Sequence, residues 1–113
     1  MLFASDGLQK MSESLVSNKE IAKVNDQLRS KLSCKVYLTR SVAYSNHRDR
    51  ILKSVKDFNE FNRGNDPYGE HDFGSFELSG IKYFWKFDYY DHKYEFFQHN
   101  GNRVLTIGQL NEY

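Results

Sequence analysis

Asp66, Glu70, His71 and Asp72 fall within seven positions, and Asp88 and Glu95 follow downstream. A histidine among carboxylates can run general acid–base chemistry or hold a divalent metal. Whether these residues meet depends on the elements that carry them. Asn59 to Gly69 holds the only proline, Pro67, with Gly64, Gly69, Asn62, Asn65 and Asp66, which are residues of turns. Two strands are expected after it, at about 71–78 and 81–90, joined by Ser79-Gly80.

A two-residue turn at Ser79-Gly80 sets Leu78 against Ile81, Glu77 against Lys82, Phe76 against Tyr83 and Gly74 against Trp85. The Glu–Lys pair is favourable, and the glycine leaves room for the indole. One face then carries Phe76, Leu78, Tyr83, Trp85, Phe87 and Tyr89, a core face, with Glu70 and Asp72 near Tyr89 and Phe87. On the other face His71 sits opposite Asp88. A third strand at 93–97, turning at Asp91-His92, would add Glu95 beside them.

His71, Asp88 and Glu95 are thus the candidate metal ligands. His71, Asp88, Glu70 and Asp72 are the candidate catalytic groups. A solvated charge cluster is the more ordinary account of the first set. Glu70 and Asp72 can accept backbone N–H or tyrosine hydroxyl bonds, as buried carboxylates commonly do. Left unpaired, burial would raise their pKa and let one act as an acid. Asn65, Asp66, Tyr68, Phe73, Phe84 and Tyr90 are the candidate binding residues. The outward Phe73, Phe84 and Tyr90 either form a partner patch or pack under the C-terminal segment.

Upstream, Ile21, Val24, Leu28 and Leu32 recur at steps of three and four and predict a helix at about 16–32. Val36 and Leu38 alternate with Tyr37 and Thr39 in a strand at about 35–43. A second helix is expected at 47–58, with Asn46 and Asp49 resembling a capping box and Ile51, Leu52, Val55 and Phe58 as its apolar face. Residues 102–110 suit either a helix or a strand. Residues 1–14 read as a flexible tail ahead of one domain over 15–113, with Met11 a possible second start.

The 113 residues fit a single domain. No apolar run approaches a membrane span, and the first ten residues lack a signal-peptide pattern. Cys34 is the only cysteine, so no intramolecular disulfide or cysteine-based zinc motif is available. It reads as a small buried hydrophobe. No phosphate-binding glycine loop, serine nucleophile elbow or HExxH motif occurs. The net charge of +1 argues against a general electrostatic nucleic-acid binder, but it conceals +6 over residues 1–56 and −5 over 57–113. Within the basic half, His47-Arg48-Asp49-Arg50 can contact phosphate or form a solvated helix face.

Asn65-Asp66-Pro67-Tyr68-Gly69-Glu70-His71-Asp72-Phe73-Gly74, then Phe84-Trp85-Lys86-Phe87-Asp88-Tyr89-Tyr90-Asp91, then Arg103-Val104-Leu105-Thr106-Ile107, resemble the bacterial domain-of-unknown-function family 3768. The resemblance extends over about 20–113 and includes Asn25-Asp26-Gln27-Leu28-Arg29 and Leu38-Thr39-Arg40. Gln98-His99-Asn100-Gly101 is shorter than the family's Pro- and Asp-rich stretch, and Gly108-Gln109 stands where that family has apolar residues. The resemblance implies genes on mobile elements near antirestriction genes, and so a role against host defence.

The expectation is an α+β fold, a small antiparallel sheet with two or three helices. The leading functional expectation is a cytosolic protein-binding module without a cofactor, an inhibitor of anti-defence type. The alternative is a metal-assisted hydrolase. A third is nucleic-acid binding through the basic half, which a steep salt dependence would reveal.

Overall fold

The structure, a computed structural model, describes residues 16–113, so the expectations for the N-terminal tail and for Met11 lie outside the described residues. Helix α1 spans Asn18–Lys31. Ser17 caps it, its hydroxyl accepting the Glu20 N–H at 3.1 Å, and Leu32 ends it in the left-handed region at φ 48°. Strand β1 covers only Lys35–Leu38. The strand expected to reach residue 43 stops there because a one-turn helix, α2 (Arg40–Ala43), follows Thr39 and plants Val42 in the core. Helix α3 spans Arg48–Asp57 and buries Ile51 and Val55, one turn apart. Its N-cap is His47, without a side-chain cap bond, so the expected Asn46–Asp49 box is not formed.

Strands β2 (Phe73–Leu78), β3 (Ile81–Tyr90) and β4 (Asn102–Gln109) complete a four-stranded sheet of order β1-β4-β3-β2. The β2–β3 register is the expected one, from Leu78 opposite Ile81 through Gly74 opposite Trp85. Both turn residues take positive φ, 53° at Ser79 and 81° at Gly80. A Cβ on residue 74 would lie 2.4 Å from Trp85 Nε1, so only glycine lets the indole lie against the strand. Residues 102–110, open between helix and strand, form β4 and a closing 3₁₀ turn at Leu110–Glu112.

The α+β expectation is met, and the sheet is mixed: β4 runs antiparallel to β3 and parallel to β1. The third strand expected at 93–97 does not form. Beyond Tyr90 the chain makes turns and a single bridge, Tyr90 to Phe97. Its place beside β3 is taken by β4, which sets Leu105 against Phe87 and Ile107 against Trp85 and so extends the core face. That face, with Tyr83, packs on Val42, Ile51 and Val55. The opposite face is covered at Phe84 by the C-terminal Tyr113, ring centroids 4.9 Å apart. No helix among the described residues is long and apolar enough to cross a membrane.

Candidate functional site

The buried face of α1 is not wholly apolar. Ile21, Asn25 and Arg29 lie one turn apart along it, and all three are buried, whereas Val24, expected inside, is exposed. Arg29, only 2% exposed, donates through Nη1 to the carbonyls of Val55 (2.8 Å) and Phe58 (2.9 Å) at the end of α3. Its Nη2 donates to Asp26 Oδ1 at 2.9 Å, and the guanidinium lies 4.6 Å from the Trp85 ring centroid. Burial lowers its pKa, and the bond to Asp26 and the charge there oppose that shift.

Asp26 is shared. His71 Nδ1 is 2.9 and 3.0 Å from its two oxygens, and His71 Nε2 is 3.5 Å from Asp66 Oδ2. Asp66 is buried, and its Oδ1 accepts the His71 backbone N–H at 3.1 Å. Phe61 stacks flat on the imidazole, centroids 3.7 Å apart. Residue 71 takes φ 54°, which turns its side chain out of the hairpin register. Here is the correction to the expected patch: His71 bonds toward α1 and the Pro67 loop. Asp88 pairs with Lys86 Nζ at 2.9 Å instead. Glu95 sits in an exposed turn whose backbone N–H bonds Asp91 Oδ1. Among the described residues no three His, Cys, Asp or Glu side chains are grouped to hold a metal, so the set His71, Asp88 and Glu95 is not assembled.

Glu70 and Asp72 go the other way. Phe87 N–H donates to the Asp72 carbonyl at 2.8 Å, which marks the β3 edge facing this segment. Two residues on, Tyr89 presents the same edge, and there its carbonyl accepts from Gln98 N–H at 3.2 Å. The β3 edge therefore passes from residue 72 to residues 97–98. At this handover lies a cleft of about 470 Å³. Glu70, Asp72 and Asp88 supply its carboxylates; Phe87, Tyr89, Tyr90 and Phe97 supply its rings, and Ile21, His99 and Asn100 also line it.

A hydrogen-bonded network holds one wall. Asn25 Nδ2 donates to the Glu70 carbonyl (3.0 Å) and to the Tyr89 hydroxyl (2.9 Å). That hydroxyl donates to Glu70 Oε1 at 3.3 Å, and Arg103 Nε donates to Asn25 Oδ1 at 2.9 Å. Burial pushes the Tyr89 phenol well above its ordinary pKa, so it acts as a neutral donor. Asp72 differs. Burial raises its pKa first, and the charges of Glu70, Asp66 and Asp88 add to the rise, against its own backbone N–H. Glu70 thus has the tyrosine partner expected for it, whereas Asp72 has, among the described residues, only its own backbone N–H, and burial outweighs that bond.

The remaining candidate residues divide in the same way. Asn65 is a loop clamp: its Nδ2 donates to the Glu60 carbonyl and its Oδ1 accepts the Asn62 N–H. The carbonyl of the exposed Tyr68 accepts from Asn18 Nδ2 at 2.9 Å. Phe84 is buried and is no contact residue, a second correction. Tyr113 covers it, and Gly108 leaves the space, since a Cβ there would lie 2.8 Å from the ring. Phe73 also packs on Tyr113, centroids 5.6 Å apart. Tyr90 lines the cleft. Periodicity missed Asn25, Arg29, Phe97, Asn100 and Arg103; the i, i+4, i+8 alignment of Asn25 and Arg29 with Ile21 is the only trace the first two leave in the sequence.

Fold and site together define a small α+β protein with an acidic, aromatic cleft at one sheet edge. The chain belongs to the family described as protein of unknown function (DUF3768), whose model matches residues 38–111. Comparison with curated proteins and with solved structures found no match.

Proposed function

We propose that this protein is a binding module that works by occupying a partner protein, and that the cleft receives a cationic side chain of that partner. The observation that carries the reading is Asp72, a carboxylate made costly to ionise by burial and by neighbouring acids, in an open cleft. A bound guanidinium or ammonium relieves that cost by charge-assisted bonding. The rings of Tyr90 and Phe97 supply faces on which a cation gains further, while the protein's own Arg103 already lies over the Tyr89 ring, 5.0 Å from its centroid. On this reading the protein acts in the cytoplasm and its partner is a host defence protein, in keeping with the mobile-element setting that the family resemblance implies.

The test is an NMR titration with a capped Gly-Arg-Gly peptide and its citrulline counterpart, which keeps the shape and removes the charge. Shifts at residues 70–72, 87–90 and 97–100 with arginine alone support the reading. Equal shifts with citrulline, or shifts elsewhere, overturn it. Isolation of tagged protein from its host then asks for the partner, and recovery of no specific protein counts against an inhibitor.

A further inference from the structure

A second charged surface lies away from the cleft, at the corner where α2 meets α3. Between residues 40 and 56 the chain has five basic side chains, Arg40, Arg48, Arg50, Lys53 and Lys56, and one acid, Asp49. Lys53 is taken by Asp57 at 2.6 Å. Arg40, Arg48 and Arg50 are exposed, and none is in an ion pair with a carboxylate among the described residues. The other acid nearby, Glu112, is engaged at the N-terminus of α2, accepting from the Thr39 hydroxyl (2.7 Å) and the Ser41 N–H (3.4 Å), and makes no ion pair with Arg40.

Among these arginines stands Tyr44, 82% exposed. Its backbone is held firmly. Its N–H bonds the Arg40 carbonyl at 3.2 Å, and Val42, two residues before, is fully buried. Arg48 Nη1 donates to the Ala43 carbonyl at 3.2 Å, which fixes that guanidinium beside Tyr44. An aromatic ring on a rigid corner, flanked by unneutralised guanidinium groups, has the composition of a stacking platform on a phosphate track. An acidic peptide would satisfy the charges but has no use for the ring.

We propose that this corner binds single-stranded nucleic acid, with Arg40, Arg48 and Arg50 on backbone phosphates and a base stacked on Tyr44. The surface is separate from the cleft, and its failure leaves the cationic-partner reading untouched.

The experiment is fluorescence anisotropy of a labelled 20-nucleotide oligothymidine titrated with the full chain. Three phosphate contacts predict a log–log salt slope of about −2, so affinity falls roughly fifteenfold between 50 and 200 mM salt. Arg40→Ala/Arg48→Ala/Arg50→Ala flattens the slope toward zero. Because Arg48 also bonds Ala43, the Arg40→Ala/Arg50→Ala pair is measured beside it and lowers the slope by about 1.4. Tyr44→Ala weakens binding about tenfold, Tyr44→Phe retains it, and Lys93→Ala, in the turn next to the Tyr94 that Lys35 covers at the other end of β1, changes nothing. Each variant is checked for an unchanged melting temperature. Salt-indifferent binding, full binding by the arginine variants, tighter binding of duplex than of single strand, or equal competition by a polyglutamate peptide each overturn the proposal.

Discussion

The segment from Asp66 to Asp72 serves two regions that treat charge in opposite ways. On one side Asp26 and Asp66 are matched: Arg29 and His71 bond them, and Trp85 and Phe61 cover the guanidinium and the imidazole. On the other side Glu70, Asp72 and Asp88 share a cleft in which Lys86 answers Asp88 alone. Groups that bond one another across elements tie those elements together, and losing one partner strands the rest. Crowded acids with room beside them cost stability in the free protein and are suited to a ligand. The comparison teaches that residue type within a motif does not assign its role; the count of partners does.

The largest effect is expected at the matched side. Arg29→Ala removes the donor to two α3 carbonyls and leaves Asp26 without its guanidinium, and should cost about 3 kcal/mol in urea denaturation. A loss under about 1 kcal/mol would mean that solvent replaces those bonds, and the contrast between the two regions would weaken. A smaller loss, about 1–2 kcal/mol, is expected for His71→Ala, which frees Asp66 and uncovers Phe61. Asp26→Asn combined with His71→Ala should then fall short of additivity, because both variants delete one interaction. Full additivity would show that the two side chains act independently.

Much of this fold was legible where local rules suffice. The hairpin register followed from Glu77 with Lys82 and Gly74 with Trp85, because a short turn leaves little freedom. Both long helices were legible from periodic apolar residues. What failed was non-local. The strand expected at 93–97 lost to Asn102–Gln109, whose Leu105 and Ile107 complete the core, and the order of strands in space is not written in local spacing. Hydrophobic periodicity treats polar residues as outward, so Asn25 and Arg29 were invisible until their acceptors on α3 and β3 came into place. Extending strand alternation through residue 71 placed His71 against Asp88, and its positive φ breaks that alternation. The neighbourhood of Glu70 and Asp72 with Phe87 and Tyr89 held, because Phe87 N–H bonds the Asp72 carbonyl just before the paired strand and Asn25 and the Tyr89 hydroxyl bond Glu70 across the break.

The most direct measurement is Asp72→Asn, melted at pH 7 and at pH 3 and titrated with the capped arginine peptide. The folded protein holds this carboxyl above its ordinary pKa, so folding pays an ionisation cost that grows as pH rises through the ordinary range toward the raised value. Glu70, Asp66, Asp88, Tyr89, Tyr90 and His99 are the other titratable groups around the carboxyl and its cleft, with Arg103 over the Tyr89 ring. The amide removes the cost. The variant should therefore melt higher than the unaltered chain at pH 7, match it at pH 3 where both side chains are neutral, and lose arginine binding. A variant that melts lower at pH 7 while still binding the peptide would contradict the account, making Asp72 a structural partner and the cleft no cation site.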